Sequence, residues 1–236
     1  HGTDVKHASS TWLMALDTLT WIEDGINRRD IPLDSLPSIK PSMFNYGTNE
    51  GILKNVPITA VLGDQQASLF GQNCISSGDV KNTYGTGCFA LTNTGSDIVH
   101  SNNGLLSTVA YQKDGDKPQY AIEGSVSIAG AAVQWLRDNL NIIKESSDVE
   151  ALAMAEKDNG DVYFVPAFSG LFSPHWDETA RGVLVGLSRF SNKSHIARAV
   201  LESVAYQSNE LLESMEKDIG ITSVSYTHLR AHETVY

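Results

Sequence analysis

The segment from Gly63 to Phe89 restricts this chain more than any other. The apolar run Val56 to Leu62 reads as a buried strand closed by Gly63, and it leads into a lone acid and two amides, Asp64-Gln65-Gln66. Ala67 to Gln72 reads as the opening of a helix. A short loop later, Val80–Tyr84 and Cys88–Asn93 read as strands on either side of the turn Gly85-Thr86-Gly87. A chain ordered in this way can hold an alcohol beside a carboxylate while backbone N–H groups face a phosphate.

The rest of the pattern is mixed. Leu105–Tyr111 and Gln119–Glu123 flank Asp114-Gly115, a strong hairpin signal. After Gly124 the spacing turns helical: Ile128, Ala132, Trp135, Leu136, Leu140 and Ile143 predict one amphipathic helix. Tyr163-Phe164-Val165 is expected as a further buried strand. Ile196, Val200, Leu201, Val204, Leu211 and Met215 mark a long helix, with Gly220 placed to end it. Upstream, Trp21–Arg29 predicts a short helix, and Pro32, Pro37 and Pro41 keep the next stretch extended or turned. Residues 1–20 leave helix and loop both open, because Ala8-Ser9-Ser10-Thr11 suits either. Four strands and a helix, followed by strand and helix, are neither all-β nor doubly wound. The order fits an α/β chain carrying one repeated half of an actin-like, ribonuclease H-like ATPase fold.

Composition excludes several classes. Of 236 residues, 41% are hydrophobic and 19% charged, which describes an ordinary globular chain and not a disordered one. The net charge of -11, without a Lys/Arg cluster, argues against a nucleic-acid partner. No apolar stretch approaches the ~20 residues of a membrane span. Cys74 and Cys88 are too few and too far apart for a disulfide framework or zinc knuckle, and read as small core residues in a cytoplasmic setting.

Asp64 is the sharpest chemical candidate, since a carboxylate at a strand end can take the proton of a hydroxyl attacking a phosphoryl group. A turn aspartate capping the next helix is the plainer alternative. Gln65 can hold a neighbouring hydroxyl through both its donor and its acceptor. Gly85-Thr86-Gly87, extended through Ala90, matches G-x-G-x-x-A, but that fingerprint needs a helix where Cys88–Asn93 is strand-like. A hairpin turn whose N–H groups and Thr86 hydroxyl face phosphate fits better, with an ordinary β-turn as its alternative. No G-x-x-x-x-G-K-[ST] occurs, so a nucleotide is not held by a P-loop. Gly130, inside the expected helix, costs ~1 kcal/mol relative to alanine. It points either to close approach of a ligand, with Gln134 one turn later, or to helix packing. Phe89 fits a substrate wall or core. His175 and Asp177 make weak metal ligands at i, i+2, and Ser169 lacks the glycine flanks of a hydrolase elbow.

Asn82-Thr83-Tyr84-Gly85-Thr86-Gly87-Cys88-Phe89, together with Gly63-Asp64-Gln65-Gln66, resembles the FGGY carbohydrate kinase family and, within it, the glycerol kinases. Gly182-x-Leu184-x-Gly186-Leu187 and His195-Ile196-x-x-Ala199-Val200-Leu201-Glu202 are similar to that family's C-terminal signature, and Trp135–Asp138 and Pro174-x-Trp176-Asp177 also fit. The likeness runs from about Thr3 to Ile221. It implies transfer of phosphate from ATP to glycerol, with Mg2+ bridging the phosphates and a homo-oligomer at full length. By the same likeness Asp64 is the base, Gln65 binds another hydroxyl and Phe89 packs on the carbon chain. Gly85, Thr86, Gly87, Gly130 and Gln134 would line the ATP site. Other polyol kinases of the family, and a non-catalytic actin-like nucleotide module, are the competing expectations.

The resemblance also has departures. Lys6-His7-Ala8-Ser9-Ser10-Thr11 stands where the family usually carries Thr-Asn-Ala-Ser-Arg-Thr, and Gly47–Asn55 lacks the arginine of the bacterial regulatory loop. Residues 1–73 are expected to belong to the substrate-side domain and 74–223 to the ATP-binding domain. Val224–Thr234 resembles a translated sequencing adapter, so 224–236 are expected to lie outside the fold. The chain alone is expected to be inactive, because the family's first phosphate hairpin and its Arg-Glu pair lie outside it.

Overall fold

Five strands with small and branched residues facing inward assemble the central sheet of this computed structural model, which describes residues 1–220 and the backbone of Tyr226–Arg230. β1 (Gly2–Asp4) leads directly into α1 (Val5–Ser9), and β2 (Ser38–Lys40) pairs with β1 in parallel. Between them lie α2 (Glu23–Asn27) and a 3₁₀ turn at Leu33–Ser35. α3 (Asp64–Gly71) precedes the meander β3 (Val80–Tyr84), β4 (Cys88–Gly95), β5 (Leu106–Tyr111) and β6 (Gln119–Val126). Then come α4 (Gly130–Asp138), α5 (Asp148–Ala153), the hairpin β7 (Tyr163–Val165) and β8 (Val183–Val185), and α6 (Lys193–Ile219). β9 (Tyr226–Arg230) runs parallel to β3, so the sheet order is β5-β6-β4-β3-β9.

Helices cover the sheet on both sides. α6 lays Leu211 and Met215 against Val80, Ala90, Ile122 and Val126. Leu69 of α3 packs with Leu91, Ala110 and Ala121, and α1 sets Val5 and Ala8 against Val109 and Tyr120. A further cluster joins Ala132 and Leu136 of α4 to Val149, Ala197 and Val200. α6 starts in a capping box, Asn192 with His195, and ends at Gly220 in the left-handed region (φ 66°), as its sequence predicts.

The structure corrects four expectations. Asp4, not the Ala8–Thr11 stretch, caps the first helix, accepting from the N–H groups of Lys6 and His7. Val56–Leu62 is no buried strand: it touches 42–48 through scattered bonds such as Tyr46 N–H to Ile58, Pro57 has no N–H to give, and Val56 and Ile58 are 49% and 40% exposed. The helix expected from Ile128 to Ile143 is α4 alone, cut at both ends, with Asn141 left-handed (φ 52°) just beyond it. In Tyr163–Val165 only Phe164 is buried. The expectation for 224–236 falls mostly outside the described residues, apart from the backbone of β9 beside β3.

Candidate active site

Asp64 is the first helical residue of α3, one place inside the cap, because Gly63 in extended geometry (φ -69°, ψ 150°) occupies the cap and offers no side chain. Its carboxylate is exposed, lies at the positive end of the helix and accepts the Gln65 N–H at 2.8 Å. The capping alternative is therefore not the geometry found. A Cβ on Gly63 would lie 2.8 Å from Lys6 Nζ, which puts the α1 ammonium beside this corner.

Beneath Asp64 and Gln65 lies Lys81, fully buried in β3. Its ammonium donates to Gln65 Oε1, to Thr83 Oγ1 at 2.9 Å and to the Phe89 carbonyl at 3.1 Å. Burial pushes Lys81 down to about 8, opposed by the charges of Glu123, Asp64 and Cys74. Glu123 on β6 is raised by burial, while Lys6 and Lys81 draw it back and Asp64 pushes it further up. Lys6, Asp64, Lys81 and Glu123 thus form one mixed-charge group at the edge of the β3–β4 hairpin. Sequence reasoning missed Lys81 and Glu123. The available signal was a lysine at the second position of a short strand, on the same side as Thr83.

The hairpin turn is tied to α4. Gly85 N–H donates to Gly87 O at 2.8 Å, so that group is not open to phosphate. Gly85 O accepts Gly130 N–H at 2.9 Å, and Thr86 O accepts Ala129 N–H at 2.8 Å and Ala131 N–H at 3.1 Å. Gly130 is the first residue of α4 and not a helix-interior glycine, so the interior penalty does not apply. What approaches it is the turn: a Cβ there would sit 2.6 Å from Gly85 O. A Cβ on Gly87 would collide with Val126 O, which keeps that position glycine. The Thr86 side chain is exposed, and Gln134 follows on α4, half-buried.

Asp64, Gln65 and Phe89 thus meet around Lys81, and Gly85, Thr86, Gly87 and Gly130 meet around the turn. One hairpin joins the two groups, since it carries Lys81, Phe89 and the turn, with Thr83 paired to Phe89 and Tyr84 to Cys88, while Asp64 and Gln65 lie on α3. His175 and Asp177 do not converge. Nε2 of His175 pairs with Glu210 at 3.0 Å, and Asp177 accepts from Thr179 and Ala180, which holds its carboxyl below the usual range. A cavity of about 500 Å³ opens between β7 and α6, lined by Tyr163, Phe172, His175, Tyr206 and Glu210, and neither the Asp64–Gln65–Phe89 group nor the residues around the turn border it. Among the described residues no cluster of three or more His, Cys, Asp or Glu could hold a metal, and no helix is long and apolar enough to cross a membrane.

A four-stranded antiparallel core extended by a parallel fifth strand, with helices on both faces, is half of an actin-like ATPase sheet. Residues 80–230 match the C-terminal domain of the FGGY family of carbohydrate kinases. The chain therefore belongs to the FGGY family and has its actin-like, ribonuclease H-like fold. It is 59% identical over 232 residues to a glycerol kinase of Brucella anthropi, covering 98% of this chain and 46% of that one. It is 57% identical over 221 residues to a glycerol kinase of Methylobacterium radiotolerans, covering 94% and 44%. Its structure is similar to that of Plasmodium falciparum glycerol kinase with ADP: TM-score 0.87, 39% identity, 97% of this chain and 47% of that one. A ligand-bound xylulose kinase from Lactobacillus acidophilus is similar at TM-score 0.81 and 25% identity, covering 96% and 47%. The chain spans about half the length of the curated relatives it matches.

Proposed function

We propose that this chain contributes the base and part of the phosphate-binding surface of an ATP-dependent glycerol kinase. The observation that carries this reading is the β3–β4 hairpin, which anchors Gln65 of the Asp64-Gln65 pair through Lys81 and carries the Gly85-Thr86-Gly87 turn. Asp64 takes the proton of the terminal hydroxyl as its oxygen attacks the γ-phosphorus. The bond to the bridging oxygen of ADP breaks, and glycerol 3-phosphate leaves. A base of this kind contributes ~10²–10⁴-fold. Gln65 binds a second hydroxyl, Phe89 covers the carbon chain, and Gly85, Thr86, Gly87, Gly130 and Gln134 border the nucleotide. Because Gly85 and Gly130 are engaged with each other, their part is to fix the turn. That leaves the exposed Thr86 to meet phosphate. Among the described residues no group of three or more His, Cys, Asp or Glu could hold a metal, and Mg2+ bound with ATP would supply charge neutralisation at the phosphates.

The reading extends to a division at residue 73 between a substrate-side part and an ATP-side part. It also extends to a cytoplasmic homo-oligomer at full length. The test is glycerol-dependent ADP formation by a polypeptide of the relatives' full length carrying this segment. Asp64→Asn should lower the rate at least ~10²-fold and leave ATP affinity nearly unchanged. An unchanged rate, or a wild-type preference for a pentose, overturns the reading.

A further inference from the structure

We propose that Lys81 is a positioning residue that fixes the amide of Gln65 in one orientation and so makes Gln65 a hydrogen-bond donor to the substrate. This rests on the glycerol-site reading above and deepens it. An ammonium can only donate. Lys81 Nζ takes the Gln65 carbonyl oxygen, so the amide carbon–oxygen bond points inward and Nε2 is turned outward. The same cation holds Thr83 Oγ1 at 2.9 Å and the Phe89 carbonyl at 3.1 Å. One buried group therefore contacts both Gln65 and the Phe89 backbone. With one lone pair of the carbonyl oxygen engaged by Lys81, Gln65 is biased towards donating through Nε2.

A donor at this place has a chemical consequence. A hydroxyl bound by Gln65 Nε2 is held through an oxygen lone pair, which leaves its proton free for a carboxylate. Polyols with an oxygen at that position are accepted, and analogues with hydrogen there lose the bond while the amide stays fixed and unpaired. Polarisation by the cation also strengthens the amide as a donor. The neighbours that keep the ammonium charged while buried are Glu123 and Asp64, with Lys6 also acting on Glu123.

The test compares Lys81→Met, Lys81→Arg, Gln65→Ala and Lys81→Met/Gln65→Ala in the full-length polypeptide. Lys81→Met should raise KM for glycerol about tenfold with the KM for ATP unchanged, and should shrink the preference for glycerol over 1,2-propanediol. Lys81→Arg should recover part of the loss. In the Gln65→Ala background Lys81→Met should raise KM no further. Independent, multiplying effects overturn the proposal, as does an equal loss for ATP. A second readout needs neither activity nor a folded variant. In the wild-type chain the Gln65 side-chain amide resonances should move with pH in step with the Lys81 Nζ signal. An amide that ignores the Lys81 titration overturns the proposal. Absence of glycerol-dependent ADP from the wild type removes the glycerol reading only, since the amide titration decides the Lys81–Gln65 contact by itself.

Discussion

Replacing Gly130 with alanine sets two effects of opposite sign against each other. Helix propensity favours alanine by up to ~1 kcal/mol in a helix interior, and by less at the first helical position. Packing opposes it. The new Cβ would lie 2.6 Å from Gly85 O, a backbone atom, and the turn must retreat roughly half an ångström to reach the 3.0 Å below which real contacts are essentially absent. Overpacking of this kind costs ~1–3 kcal/mol. The displaced carbonyl also weakens the 2.9 Å bond from Gly130 and strains the two bonds to Thr86 O, each worth about 1 kcal/mol. The net expectation is a loss of about 2 kcal/mol, or ~4–8 °C in melting temperature for a chain of this size. Far-UV circular dichroism, by heat and by urea, measures it directly on the chain. Gly71→Ala is the control: it ends α3, its Cβ would meet nothing within 4 Å, and its backbone is not left-handed. That variant should be neutral or gain up to ~1 kcal/mol. If Gly130→Ala melts at or above the parent, the turn does not constrain the helix start and the argument from close approach fails.

The pH dependence of stability follows from Lys81. Its folded pKa of about 8 lies below the ordinary 10.5, so the unfolded chain binds more protons between those values and stability rises with pH across that window. Urea unfolding at pH 7.5 and 10 should show the wild type gaining on Lys81→Met by the higher pH, with the groups common to both cancelling. Leu211→Ala removes a fully buried contact between α6 and the sheet and should cost ~2–5 kcal/mol in chemical denaturation. Asn192→Ala deletes the acceptor for Ser194 N–H at 2.8 Å and His195 N–H at 3.3 Å. It should cost ~0.5–2 kcal/mol and speed hydrogen exchange in the first turn of α6.

The hairpin 80–95, the second hairpin through Asp114-Gly115 and the long last helix are legible in the chain because their signals are local. Side-chain period, a glycine turn and a glycine after the last turn each act within a few residues. Gly63-Asp64-Gln65 and the Gly85-Thr86-Gly87 turn are legible as candidates for the same reason. Val56–Leu62 shows where local reading stops: its composition is that of a covered strand, but what covers an apolar run is set by distant chain, and here Val56 and Ile58 stay 49% and 40% exposed. Gly130 is readable as a place of close approach but not as to what approaches, since its partner Gly85 is brought in by the sheet. Lys81 looks like any strand lysine until β4, α3 and β6 close around it. Sequence alone determined the two hairpins, the long last helix, the turn and the acid-amide pair. Tertiary structure decided which groups meet, because burial, charge pairing and amide orientation belong to contacts between residues far apart in the chain.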